Sequence, residues 1–157
     1  MPSNPQTAHL AHYGIESHWL RDDTANKRML MVYAHPDDES FGNAGTILHY
    51  SDAGVGVHYA CATRGEAGSV AAELLQGYDD VSTLRTAELM RAADILGLAS
   101  VHFLGYRDSG MQGAAENSHP NALFQAPLVQ VAERVTAIIR TIRPQVVLTF
   151  NAYGGYG

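Results

Sequence analysis

The chain has 157 residues, a formal charge of −6 and one cysteine, Cys61. That length suits one domain burying roughly 70% of its unfolded surface, a lone cysteine excludes an internal disulfide framework, and no apolar run is long enough to cross a bilayer. Without a block of Lys or Arg, the chain lacks the clustered cations that hold a nucleic-acid backbone through counterion release.

Residues 1–27 are polar, carry Pro2 and Pro5 and lack the apolar stretch of a signal peptide. They read as an N-terminal extension of a protein expected in the cytoplasm, with the folded domain over residues 28–157. Arg28 to Ala34 is an apolar run that predicts a first strand. Phe41, Ala44, Gly45 and Leu48 then recur at helical spacing, which predicts a helix from near Ser40 to about Ser51, ended by Asp52-Ala-Gly54. Val55 to Ala62 predicts a second strand, and Leu89, Ala92, Ala93 and Leu96 form a helical stripe that Gly97 terminates. Val101 to Leu104 is a short third strand. A polar loop holding Asn117, His119 and Asn121 leads to a long amphipathic helix with Leu128, Val131, Val135, Ile138 and Ile142 on one face. Pro144 stops it, and Gln145 to Phe150 is a fourth strand. Strands alternating with helices predict an α/β, Rossmann-like, doubly wound and mostly parallel sheet with helices on both faces and the first strand at its centre.

In such a sheet ligands bind beyond the carboxyl ends of the strands. Here those ends carry Ala34-His-Pro-Asp-Asp-Glu39, Thr63-Arg-Gly-Glu-Ala-Gly68, Gly105-Tyr-Arg-Asp-Ser-Gly110 and Asn151 to Gly157. An imidazole and several carboxylates packed into five residues repel and desolvate one another unless a cation sits between them. A metal ion satisfies that need, because His and Asp are ordinary zinc ligands and a neighbouring free carboxylate serves a metal-bound water as base. The blander reading is that Asp37 or Asp38 caps the following helix. Arg64 and Glu66 are expected to hold their loop by an ion pair, supporting the site with Glu39 rather than contacting substrate. Asp108 reads equally as a turn former. Arg85 reads as a solvated helix-face residue, Cys61 as a small buried residue, and the histidines other than His35 as non-ligands, with His119 the nearest to an exception.

The motifs His35-Pro-Asp-Asp-Glu39, Arg64-Gly-Glu66 and Tyr106-Arg-Asp-Ser-Gly-Met111, each at a strand end, resemble those of the LmbE-like de-N-acetylases. That metal-dependent family includes N-acetylglucosaminyl-phosphatidylinositol de-N-acetylase and the deacetylases of mycothiol and bacillithiol synthesis. The resemblance covers about Arg28 to Gly157. It implies His35 and Asp38 as zinc ligands, with Fe²⁺ or another divalent metal as the alternative, and Asp37 as general base. It further implies Asp108 and Arg85 near the substrate and Tyr156 as a donor to the tetrahedral oxyanion. Family members continue past a Gly-Tyr-Gly into His-Pro-Asp-His, which supplies the third ligand and a catalytic histidine, so a C-terminally incomplete domain is expected here.

The expected function is therefore removal of an acetyl or acyl group from the nitrogen of an N-acetylglucosamine-type conjugate. Its partner is a small amino-sugar molecule, with no nucleic acid and no membrane span, and a homo-oligomer remains open. One alternative is a fragment that keeps the fold without catalysis. Another is a nucleotide-binding module, which Asp37, Asp38 and Glu39 disfavour because that loop repels phosphate where glycine amides would bind it.

Overall fold

The computed structural model describes residues 5–22 and 24–154, so Tyr156 lies outside the described residues. In chain order the elements are α1 (Pro5–Ala11), β1 (Glu16–Trp19), β2 (Arg28–Tyr33), α2 (Ala44–Asp52), β3 (Gly56–Cys61), α3 (Val81–Ile95), β4 (Ser100–Phe103), α4 (Leu128–Ile142) and β5 (Val146–Thr149). They form one five-stranded sheet in the order β1-β4-β3-β2-β5. β2, β3, β4 and β5 run parallel, and β1 pairs antiparallel with β4 from Glu16 opposite Phe103 to Trp19 opposite Ser100. Among the described residues no helix is long and apolar enough to cross a membrane.

Period-two alternation along the strands builds two cores, since successive side chains leave opposite faces of a sheet. Met29, Met31, Val57, Tyr59 and Cys61 pack with Ile47 of α2 and with Leu89 and Ala93 of α3. On the other face, Leu30 and Ala60 pack with Leu10 of α1 and with Ala137, Ile138 and Ile142 of α4. Strands covered on both sides are nearly continuous apolar runs, and β3 is buried at all six positions.

Three expectations need correction. Residues 5–22 are not merely an extension, because α1 and β1 belong to the packed fold. Addition of β1 beyond β4 makes β3 the central strand, with β2 one place towards the β5 edge. The helix after β2 begins at Ala44 rather than near Ser40, because Asp37 has φ 117 and Gly42 has φ 95, both incompatible with a right-handed helix. Its inward residue is Ile47, whereas Phe41, expected on the buried stripe, is 80% exposed.

The helices around the later strands have clear punctuation. Asp80 caps α3, its carboxylate accepting from the Thr83 amide at 2.8 Å, and Gly97 follows the helix at φ 73. α4 ends on Arg143 at φ 54, where Pro144 bars the helical conformation from the residue before it.

Candidate active site

The end of β2 is fixed from β3. The Tyr59 hydroxyl donates to the His35 carbonyl at 2.8 Å, and the Thr63 hydroxyl donates to the Ala34 carbonyl at 3.0 Å. Asp38 folds back on the same segment: its Oδ2 accepts the Ala34 amide at 3.1 Å and the His35 amide at 2.9 Å. Among the described residues its Oδ1 takes no hydrogen bond, which leaves lone pairs for a cation. Glu39 is 1% exposed, accepting the Asp37 amide at 2.9 Å and the Ser40 hydroxyl at 2.7 Å. Neither Asp37 nor Asp38 caps α2, whose N-cap is Asn43.

His35 lies between two carboxylates. Its Nε2 faces Asp108 Oδ1 at 3.4 Å and its Nδ1 faces Asp38 Oδ2 at 4.0 Å. The contact with Asp108 raises the imidazole pKa, against burial, which lowers it. Asp108 answers in the opposite direction. Burial pushes its carboxyl up, but His35 and the amides of Gly110 and Ala67 outweigh that and hold it at about 2. Those two amides lie at 2.9 and 3.3 Å, so Asp108 forms a turn and faces the imidazole at once.

Asp37 points elsewhere. Arg85, read alone as a solvated helix-face residue and by resemblance as lying near the substrate, is neither solvated nor part of the cavity lining. It reaches from α3 to this loop, donating to Asp37 Oδ2 at 2.6 Å, to the Pro36 carbonyl at 2.5 Å and to the Gly65 carbonyl at 3.4 Å. Burial raises the Asp37 pKa while Arg85 draws it back. The guanidinium occupies space that only glycine leaves open: a Cβ on Gly65 would stand 2.0 Å from Arg85 Nη1. His35, Asp38 and Asp108 line a cavity of about 550 Å³ with Thr63, Asn117 and Phe124. Asp37 and Arg85 instead line an adjoining depression of about 280 Å³.

The expected Arg64–Glu66 ion pair does not form. The Arg64 guanidinium turns to β1, meeting Glu16 Oε2 at 2.5 Å and Thr86 Oγ1 at 2.8 Å and stacking 3.8 Å above the Phe103 ring. Its chosen partner lies in the segment whose polarity suggested an extension. Glu66 binds backbone instead, accepting the amides of Arg64 at 3.2 Å and Asp108 at 2.9 Å, which ties the loop after β3 to the loop after β4. His119 accepts the Asn121 amide at 3.1 Å and is not part of the cavity lining. The sequence places Thr63 and Asn117 in loops without giving them a role and does not mark Phe124; they come from a loop and two 3₁₀ turns without a periodic signal.

The donor set at His35 and Asp38 fits part of a zinc site. Two ligands of a tetrahedral zinc lie about 3.3–3.4 Å apart for bonds of about 2.0–2.1 Å. His35 Nδ1 lies 4.0 Å from the Asp38 carboxylate, measured to Oδ2, which already accepts two amides, so Oδ1 is the oxygen left for a metal. Asp108 faces the far ring nitrogen, the position from which a carboxylate orients an imidazole that binds metal through its other nitrogen. Among the described residues no group of three or more His, Cys, Asp or Glu side chains is arranged to hold a metal ion, so the set supplies two donors.

The GlcNAc-PI de-N-acetylase (PIG-L) family model matches residues 30–157. A curated relative, the 1D-myo-inositol 2-acetamido-2-deoxy-alpha-D-glucopyranoside deacetylase of Actinosynnema mirum, is 41% identical over 143 residues, which is 85% of this chain and 50% of that protein. The chain spans about half the length of the curated relatives it matches. Among solved structures, N,N'-diacetylchitobiose deacetylase from Pyrococcus horikoshii is 30% identical with a TM-score of 0.57, over 77% of this chain and 39% of that one. GalB, the 4-carboxy-2-hydroxymuconate hydratase of Pseudomonas putida, is 26% identical with a TM-score of 0.58, over 82% of this chain and 50% of that one. With the His-Pro-Asp-Asp-Glu loop at the end of β2 and Asp108 behind His35, the match leaves one assignment: the chain belongs to the PIG-L family.

Proposed function

We propose that the parent protein is a zinc-dependent N-deacetylase acting on an N-acetylglucosamine-type conjugate. The observation that supports this most is that His35, Asp38 and Asp108 line one cavity, with Asp37 beside it, in a chain 41% identical to amino-sugar deacetylases. The substrates named for those relatives join an acetamido sugar to a second ring, and the same two-ring conjugate is the class we assign to this site.

His35 Nδ1 and Asp38 would hold the metal, and Asp108 would fix the His35 ring. A bound zinc ion supplies Lewis acidity and lowers the pKa of a coordinated water to about 7. The chain's own residues do the rest. Asp37, made more basic by burial, accepts a proton from the attacking water. Its carboxylate is turned to Arg85 in the neighbouring depression, so to reach a water in the cavity it would have to give up that contact. Glu39 and Arg85 position Asp37, and Glu66 positions Asp108. Tyr156 is our candidate donor to the oxyanion.

Hydration of a carbon–carbon double bond is the second reading, suggested by the GalB neighbour. Both reactions add water to carbon. The closer sequence relatives favour the amide. Acetate release from N-acetylglucosamine conjugates by the zinc-loaded protein, lost on chelation and restored by zinc, is the expected result. Metal-loaded protein that releases no acetate from any such conjugate would remove the deacetylase reading.

A further inference from the structure

The segment that brings Asn117, Leu123 and Phe124 to the cavity lining is held by side chain-to-backbone hydrogen bonds. Asn117 donates to the carbonyls of Ser109 and Met111, Gln125 donates to the Asn117 carbonyl at 2.8 Å, and backbone bonds join Arg107 to Asn121 and Leu123. Within it the Phe124 amide donates to Ser109 Oγ at 2.9 Å. Ser109 follows Asp108, the carboxylate that faces His35, so Phe124 is tied to the candidate metal site through one hydrogen bond and one peptide link.

Despite this anchoring the Phe124 ring is not used to fill the core. It is 72% exposed and lines the cavity, with Met111, Leu123 and Phe150 continuing an apolar wall. A single exposed apolar residue needs no explanation, but an apolar wall continuous with a polar reaction site marks a place where a ligand is covered. The acetamide must lie at the polar end. The part of the substrate that reaches the wall is then the group attached to the amino sugar. Six-membered carbohydrate and cyclitol rings present flat C–H faces beneath their hydroxyl rims, and an aromatic ring accepts such a face while leaving the hydroxyls in water.

We propose that Phe124 is the stacking platform for the second ring of the conjugate and the residue that sets preference for ring-bearing over simple glycosides. This rests on the amino-sugar reading of the cavity and adds which part of the substrate is selected and by what. The wall belongs to the aglycone, not to a long acyl chain on the nitrogen.

The test measures dissociation constants by titration calorimetry, in zinc-loaded protein carrying Asp37→Asn so that turnover does not consume the ligand. The ligands are the methyl and cyclohexyl glycosides of N-acetylglucosamine and the methyl glycoside carrying N-octanoyl in place of N-acetyl. With the wild-type Phe124 in place, the cyclohexyl glycoside is expected to bind about tenfold more tightly than the methyl one, the gain from covering part of one ring face. Phe124→Ala should bring that ratio close to one, Phe124→Trp should keep it, and Ile95→Ala, a change at an exposed residue remote from the cavity, should leave it unchanged. Phe124 is exposed, so its variants are expected to fold, which thermal melting checks. A ratio near one with Phe124 in place, a ratio that survives Phe124→Ala, or loss of an N-octanoyl preference in its place overturns the proposal. A Phe124-dependent ratio without acetate release by protein that retains Asp37 would retain the platform and remove the deacetylase reading. Acetate release by that protein with a Phe124-independent ratio would do the reverse.

Discussion

His35 and His102 are the same side chain in opposite electrostatic surroundings. His35 ends β2 at the rim of a cavity, with a carboxylate towards each ring nitrogen, and its pKa is raised chiefly by Asp108. His102 sits inside the sheet on β4, fully buried, in a chain running from His58 Nδ1 through Ser100 Oγ at 2.7 Å and His102 Nε2 at 2.7 Å to Ser17 Oγ, 2.9 Å from His102 Nδ1. His102 has hydroxyls on both ring nitrogens and no carboxylate in that chain, and burial, with the neighbouring His58 and His18, lowers its pKa to about 3. A histidine surrounded by carboxylates is prepared for a cation. One surrounded by hydroxyls and imidazole is prepared to stay uncharged and knit three strands together.

The largest expected effect lies at the cavity rim. Asp37→Asn keeps the shape of the side chain and removes its basicity, so turnover should fall by about 10²–10⁴, while zinc content after dialysis stays at the wild-type level. Zinc loss matching that of His35→Ala would make Asp37 a ligand and undo the separation of roles between the two aspartates. Next in size is Gly65→Ala. At φ 69 any Cβ is strained, and this one would stand 2.0 Å from Arg85 Nη1, so stability should drop by about 1–3 kcal/mol from strain and activity should fall as Arg85 leaves Asp37. Gly113→Ala is the control, with φ 82 and nothing within 4 Å of the added carbon. If both variants lose stability equally and neither loses activity, Gly65 is not the seat of the guanidinium.

The parts of this arrangement that were legible in the sequence are those whose signal is local. β2 to β4 follow from apolar runs because burial on two faces leaves little room for other residues, α3 and α4 follow from their apolar stripes, and β5 is an apolar run although it is largely exposed at the sheet edge. The gathering of strand-end loops followed from topology alone, and it placed His35, Asp38 and Asp108 on one cavity. β1 escaped notice because Glu16-Ser-His-Trp19 is a short polar edge strand, paired antiparallel and only partly buried. The turn at Asp37 was hidden because a positive φ at a non-glycine residue leaves no mark in composition. Arg64 chose Glu16, 48 residues away, over Glu66, two residues away, since the short-range partner is already committed to backbone amides. The buried histidine chain was likewise invisible, being made by register between β1, β3 and β4 rather than by spacing within any one of them.

The smallest effect tests the buried half of the comparison. A folded-state pKa of about 3 for His102 against an ordinary 6.5 means that the unfolded chain binds the extra proton throughout the interval between them. Stability must therefore fall as the pH drops below about 6.5, by about 1.4 kcal/mol per unit for this one group. His35 acts with the opposite sign. Its pKa is raised by folding, so its share of stability is present at low pH and is lost as the pH climbs through the raised value. The two act in different windows, His35 above about 6.5 and His102 below it, and a variant isolates the second. His102→Gln keeps a hydrogen-bonding amide between Ser100 and Ser17 and cannot take up a proton. Urea midpoints for wild type and His102→Gln at pH 7, 6 and 5 should converge as the pH falls, with the variant less stable at pH 7 and gaining on wild type by about 1.4 kcal/mol for each unit below about 6.5. Parallel curves would show that His102 titrates near its ordinary value, and an uncharged His102 would then not be what holds β1 to the sheet.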